Sequence, residues 1–453
     1  MSDPKSPLFL NVLSGKILAA AERAGAESAD SLVASGISTN VEVRNGALEL
    51  AERSEVADIG LRVFVGQKQA MVSGSDISDN TIDEMAERAI AMAKEAPDDP
   101  FAGLATSDQY ATAWDIEALE LYDNSPEPSA KLLEEEARMV EAEALRHKGI
   151  EQVSTASASY SRSEILLATS NGFLGSYKRT SRSLSCVAIA GTGLGMERDY
   201  DFDSRIHQGD LRSALDIGAS AARRTLERLS PRKPSTGVYP VLFDERIASS
   251  LIGHLLSAIN GASIARGSSW LLNALETQVL PSGMSLIEEP DRPRVAASRP
   301  FDAEGLLKQR REIIMDGTLM GWTLDLVSAR KLGMSSTASA VRSPSSLPTP
   351  QAGNVTLSQG KRSKQDLLSD MGTGLLVTSM IGSTINPNTG DYSRGAAGHW
   401  VENGQIMYPV SECTIAGNLK DMLSCLIAAN DARQHLSTRV PSLLVEGMNI
   451  AGQ

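Results

Sequence analysis

The sequence predicts an α+β protein in two domains. An N-terminal antiparallel or mixed sheet with covering helices precedes a β-rich C-terminal domain with a few helices. Three observations carry this. Strand-like runs joined by turn dipeptides alternate with amphipathic stretches, without a strict βαβ rhythm. At 453 residues the chain exceeds what one hydrophobic core accommodates. The run Ser230-Pro231-Arg232-Lys233-Pro234-Ser235-Thr236-Gly237 is its clearest linker signal, setting domains at 1–230 and 238–453 around a linker at 231–237.

In order, Leu10, Leu13, Ile17, Leu18 and Ala21 recur at helical spacing and predict a helix ending near Gly25. Short strands follow at 31–35, 39–44 and 48–51, the last two joined by Asn45-Gly46. Strands at 59–65 and 69–73 join through Gly66-Gln67-Lys68. Thr81 with Glu84 three residues on predicts a capping-box start for a helix to about Ala96. A loose stretch from Pro97 to Pro128 leads to an acidic helix over 129–147, whose Glu134-Glu135-Glu136 run reads as a solvated face. Strands return from Gln152 to Ala190 around Asn171-Gly172. Gly191-Thr192-Gly193-Leu194-Gly195 lacks the spacing of a dinucleotide loop and precedes a poor helix start. A helix over 209–229 closes the domain.

In the second domain Tyr239–Phe243 reads as a strand and Asp244 as the cap of a helix from Glu245 to Asn260. Asp316-Gly317 joins strands at 313–315 and 318–324. Ser, Thr and Pro dominate 335–351, predicting a mobile loop that runs over the surface. Helices are expected at 363–371 and, as the last long one, at 419–429, with a buried strand at 375–380. Asp302 and Glu304, after Pro300, can orient a ligand; for Asp302 alone, capping a following helix is the better reading.

A net charge of −13 argues against nucleic acid as a direct partner. No apolar run approaches the ~18 residues of a membrane span, and the first residues lack a signal-peptide pattern, so a cytoplasmic location is expected. Cys186, Cys413 and Cys425 are odd in number and form no CxxC pair, which excludes a disulfide framework and a cysteine-rich zinc module.

Turn chemistry, charge and aromatic character converge between Gly382 and Lys420. Asn386-Pro387-Asn388 and Thr389-Gly390 are turn formers, and Gly395-Ala396-Ala397-Gly398 is nearly bare of side chains. Asp391, Tyr392, Arg394, His399 and Glu402 stand around that patch, and Asn403-Gly404 marks a hairpin. The stretch predicts a loop-plus-hairpin site, with a tight structural corner as the alternative. Bulky side chains at Gly395 or Gly398 are expected to weaken binding or assembly rather than folding.

Four stretches carry a resemblance: Gly253-His254-Leu255 through Gly267, Phe301-Asp302-Ala303-Glu304-Gly305, Met371-Gly372-Thr373-Gly374-Leu375, and Gly390 through Gly398. With Trp400-Val401-Glu402-Asn403-Gly404 and the closing Met448–Gln453, they resemble the bacterial TldD/PmbA family, in its PmbA (TldE) branch, over essentially the whole chain. The resemblance implies a two-domain cytoplasmic protein working in a zinc-dependent peptidase. Its TldD-type subunit carries a His-Glu-x-x-x-His element and a late Cys as metal site, the Glu serving as general base. The PmbA-type subunit lacks that set. Gapless placement on Gly267-Ser268-Ser269 puts the family histidines at Ile252 and Ser257 and the Glu at Gly253, and Asp431–Gln453 contains no Cys. Neither a metal site nor a catalytic residue is therefore expected here, and zinc is expected in a TldD-like partner. His254 reads as a partly buried structural histidine.

The leading expectation is a PmbA/TldE-like subunit that shapes the substrate cleft of a two-chain peptidase, with peptide as substrate. Asp302, Glu304, Asp391, Tyr392, Arg394 and His399 are its candidate substrate-binding residues. A homodimer stays open when the partner is absent; no nucleic acid and no membrane is expected. Two alternatives stand beside it. One is a hydrolase with Ser393 as nucleophile and His399 as base, although Ser393 lies in no G-x-S-x-G elbow. The other is an interaction protein that modulates DNA gyrase or another partner.

Overall fold

A computed structural model describes residues 7–452; the sequence-based reading of the first six residues lies outside them. After helix α1 (Pro7–Ala24), strands β1 (Ser28–Arg44), β2 (Ala47–Val65) and β3 (Lys68–Gly74) form an antiparallel meander, followed by α2 (Asp79–Glu95). A short turn of helix α3 (Ile116–Leu119) precedes α4 (Ala130–Leu145), β4 (Ile150–Thr169), β5 (Leu174–Ala190), β6 (Glu197–Arg205) and α5 (Ala214–Leu226). The six strands make one sheet in the order β3-β2-β1-β4-β5-β6.

Strands of 17 and 19 residues replace the short pieces expected at 31–51. The inward positions of β1 explain the misreading: Val33, Val41 and Val43 are buried, but Ser35 and Thr39 between them interrupt the apolar run. Asn45-Gly46 does turn β1 into β2, both residues at positive φ. Helix α2 starts two residues before the expected Thr81, because the Ser78 hydroxyl accepts from the Thr81 N–H.

Both helix pairs cover the same sheet face. Val33, Ile59 and Leu61 pack against α1 and α2, while Val41, Val43 and Cys186 pack against α4 and α5. The opposite face receives the C-terminal domain, where Leu32 and Leu167 meet Phe301, Leu306 and Leu326.

That domain begins with β7 (Gly237–Phe243) and α6 (Glu245–Ala258), capped by Asp244 as its sequence predicts. Its main sheet runs Gln405–Asn418, Asp391–Glu402, Gly374–Ile385, β7, Leu443–Ala451 and Ile427–Ala428, with one parallel pair, β7 beside Gly374–Ile385. Val241 and Phe243 face α6, while Leu242 faces the helix Lys364–Met371, so the sheet lies between helices.

Four expectations need correction. The helix foreseen over 419–429 covers only Leu419–Ser424, because Ile427 and Ala428 pair with Leu444 and Leu443 at the sheet edge. No helix follows Asp302; its carboxylate caps a turn instead, accepting the N–H groups of Glu304, Leu306 and Ala340. The segment 335–351 is anchored rather than a surface excursion. Ser339 and Ala340 are buried, Ala340–Val341 pairs with Thr349–Pro350, and Gly60 lies bare under Pro344, whose carbonyl a Cβ would overlap. Gly395-Ala396-Ala397-Gly398 is the middle of a strand, not a loop, and a Cβ at Gly398 would overlap the Leu376 carbonyl oxygen. Gly398 therefore serves sheet packing.

Candidate functional site

Helix α6 presents Leu251, Ile252 and Leu255 to the core and leaves Arg246, Ser249, Ser250, Gly253 and Leu256 toward a cavity of about 430 Å³. Tyr200 of β6, Met380 and Arg394 complete its walls, so the cleft lies where the N-terminal sheet edge meets the C-terminal domain. Arg246 fixes that junction. Its guanidinium donates to Asp199 at 2.8 Å and stands 5.2 Å from the centre of the Tyr200 ring.

Behind the cleft His254 packs its ring edge-on against Tyr392, 6.0 Å between centroids, and its Nε2 is buried without a hydrogen-bond partner among the described residues. Burial, seconded by the Arg394 charge, pulls the His254 pKa down to about 4, so the imidazole is neutral at physiological pH.

The six candidate residues do not converge. Arg394 alone lines the cleft, its Nε tied to the Gly382 carbonyl at 2.7 Å. Tyr392 is 2% exposed, its hydroxyl donating to Met380 Sδ at 3.3 Å and pushed by burial to about 12. Asp391 is exposed and closes its own turn through the Thr389 hydroxyl and the Asn418 amide, which hold its carboxyl below the usual range. His399 reaches back to the Glu227 carbonyl at 3.2 Å. Ser393 sits six residues away on the same extended strand, roughly 20 Å by strand rise, so the two make no nucleophile–base pair.

Asp302 and Glu304 lie in the other joint between the domains, 1% and 4% exposed. Glu304 Oε2 accepts from the Leu326 N–H at 2.8 Å, while Oε1 has no partner among the described residues. Burial, then the nearby Asp302, raises Glu304 to about 8. Neither carboxylate is open to a ligand. Beside them lies an ion cluster that the sequence reading missed. Asp30 accepts from Arg62 Nε at 2.8 Å and from Arg342 Nη1 at 2.6 Å, all three side chains almost fully buried. Burial opposes ionisation of Asp30, but the two guanidiniums outweigh it and its pKa falls. No local signal links partners 312 residues apart.

Ile252 is fully buried in the core, Gly253 has no side chain and Ser257 is exposed, so these positions offer one hydroxyl and neither imidazole nor carboxylate. They do not fit the metal set that the resemblance implies for a TldD-type chain. Among the described residues no group of three or more His, Cys, Asp and Glu side chains is placed to hold a metal ion. Burial pushes the Cys186 and Cys413 thiols up to about 12 and about 11. No helix among the described residues is long and apolar enough to cross a membrane.

Three family models match the chain: PmbA/TldA metallopeptidase domain 1 over 29–93, the central domain over 122–229 and the C-terminal domain over 236–452. The metalloprotease PmbA of Escherichia coli is 39% identical, over 96% of this chain and 94% of its own length. The PmbA homologue of Haemophilus influenzae is 38% identical, over 95% and 94%. Among solved structures, a proposed modulator of DNA gyrase from Bacteroides thetaiotaomicron superposes with a TM-score of 0.90 at 28% identity, over 98% of this chain and 99% of its own. TldE from Thermococcus kodakarensis shares the fold, with a TM-score of 0.83 at 18% identity, over 97% and 100%.

Proposed function

This chain belongs to the PmbA/TldA metallopeptidase family, in its PmbA/TldE branch, and from that premise we propose that it is the subunit of a two-chain peptidase that carries no metal. A TldD-like partner supplies zinc and the general base, and this chain forms one wall of the cleft that holds the peptide. The observation that supports the reading is that Ile252, Gly253 and Ser257 stand on α6 at the positions where the resemblance places the metal set. The open flank of α6, with Arg246 and Arg394 at its mouth, supports its use as a cleft wall.

The test is co-purification with the TldD-like chain of the same organism, followed by metal analysis and peptide cleavage by each chain and by the mixture. The expected result is cleavage by the mixture and none by this chain, which purifies without stoichiometric zinc. One equivalent of zinc in this chain, or cleavage by it alone, would falsify the proposal. A second reading follows from the Bacteroides relative, described as a proposed modulator of DNA gyrase. With a net charge of −13 such a role runs through protein contact rather than DNA. A pull-down that returns gyrase and no TldD-like chain favours it.

A further inference from the structure

A second cavity, of about 460 Å³, opens between the N-terminal sheet and the anchored 335–351 segment. That size lies in the range of small-ligand sites, roughly 300–1,000 Å³. Leu32, Ile165, Leu167 and Phe301 give it apolar walls. Three guanidiniums line it as well: Arg179 from β5, Arg299 and Arg342.

The charges around the cavity do not balance. Asp302 is the one carboxylate of the lining, and its oxygens already accept three backbone N–H groups. Arg342 shares the single carboxylate of Asp30 with Arg62, and its side chain is 1% exposed with Nε and Nη2 unpartnered among the described residues. Arg179 is held by two carbonyls, Ala296 at 2.8 Å and Ser298 at 3.2 Å, and stands 5.9 Å from the centre of the Tyr177 ring, while its Nε is buried without a hydrogen-bond partner among the described residues. Arg299 has no side-chain hydrogen bond or ion pair among the described residues. Burial lowers the Arg179 pKa, Tyr177 opposes that, and the charge of Arg299, which lines the same cavity, lowers it further. Arg179 and Arg299, like charges beside apolar walls with no carboxylate paired to either among the described residues, are costly to keep together unless an anion arrives.

We propose that this cavity binds the free C-terminal carboxylate of a peptide whose last side chain is apolar. The guanidinium fork of Arg299 matches a carboxylate in two parallel hydrogen bonds, Arg179 adds charge beside it, and the apolar walls take the last side chain. The assignment rests on the reading of this chain as a peptide-binding subunit and names the end of the peptide it would recognise.

Calorimetric titration of the full chain with N-acetyl-Gly-Gly-Leu and with its C-terminal amide tests it. The acid is expected to bind at least about tenfold more tightly than the amide, since a hydrogen bond to a charged group contributes ~1.5–3 kcal/mol. Arg299→Gln is expected to weaken the acid about tenfold and leave the amide unchanged, without a shift in Tm because the side chain has no partner to lose. Arg299→Lys should recover part of the preference. Equal binding of acid and amide, unaltered binding by Arg299→Gln, or no binding of either peptide at millimolar concentration overturns the assignment. Cleavage by the two-chain mixture with no acid preference here overturns this pocket alone. An acid preference with an inactive mixture overturns the complex alone.

Discussion

Two of the ionic joints between the N-terminal sheet and the C-terminal part of the chain are built differently. At the joint between β6 and α6, Asp199 faces Arg246 at 2.8 Å and Arg228 at 3.7 Å, and both guanidiniums keep some contact with solvent. At the joint under the 335–351 segment, Asp30, Arg62 and Arg342 are sealed, and Arg342 and Glu304 keep atoms without partners among the described residues. A joint that still touches solvent can borrow water for whatever its partners leave unsatisfied. A sealed joint cannot, so its charge state and its free energy are tied together. The same mutation at the two joints should therefore differ in size, and the sealed one should respond to pH through Glu304.

Arg62→Ala has the largest expected effect. It removes the guanidinium that meets Asp30 Oδ2, leaving a buried carboxylate with Arg342 alone. Breaking a buried pair from one side costs about 3–5 kcal/mol, and urea denaturation of the whole chain measures it. A loss comparable to that of a surface pair, under about 1 kcal/mol, would mean that water reaches the joint.

Glu304 gives the pH arm of the comparison. Its folded pKa, raised to about 8 by burial and Asp302, stands above the ordinary carboxyl value of 4.5. Below that ordinary value both states hold the proton and Glu304 adds no slope. Between the two values the unfolded chain has released the proton while the folded chain keeps it, so stability falls as pH rises, and it levels off above about 8. Glu304→Gln keeps an acceptor for the Leu326 N–H and removes the titration. Relative to this variant, wild type should lose up to about 1.4 kcal/mol per pH unit across that window. Denaturation midpoints of both proteins at pH 5, 6.5 and 8 decide it, and parallel midpoints would show that Glu304 titrates normally.

What was legible in the sequence follows the range of the signal. The Asp244 cap, the Asn45-Gly46 and Asn403-Gly404 turns and the helix capped by Ser363 are set within a few residues of themselves, and each was readable. The strands between Gln152 and Ala190 were readable too, but the full length of β1 was not, since Ser35 and Thr39 on its inward face interrupt the alternation. Asp391, Tyr392, Arg394 and His399 look like one site because they are neighbours in sequence. An extended strand sends alternate side chains to opposite faces, so Tyr392 enters the core while His399 meets Glu227. The sealed joint was invisible for the opposite reason, its partners being 32 and 312 residues apart. Ser, Thr and Pro in 335–351 resemble a loop in composition, but what holds that segment is tertiary: the Arg342–Asp30 pair, the Ala340 N–H on Asp302 and the pairing of Ala340–Val341 with Thr349–Pro350.

The smallest expected effect sharpens the contrast. Arg246→Ala, at the joint that touches solvent, leaves Asp199 with Arg228 and with water, so the loss should be roughly 1–2 kcal/mol, between the surface and buried limits. Its consequence lies in geometry rather than stability. Arg246 holds the Asp199 and Tyr200 edge of β6 against α6, and that edge is one wall of the cleft. Arg246→Ala should therefore leave zinc in the TldD-like partner unchanged while raising the KM of the reconstituted peptidase several-fold, with kcat nearly constant, because it loosens a wall without touching the reacting atoms. Arg246→Lys, which keeps the charge but not the two-pronged contact, should fall between the two. A fall in kcat at constant KM would instead place Arg246 next to the chemistry and move the cleft wall proposed here into the active centre itself.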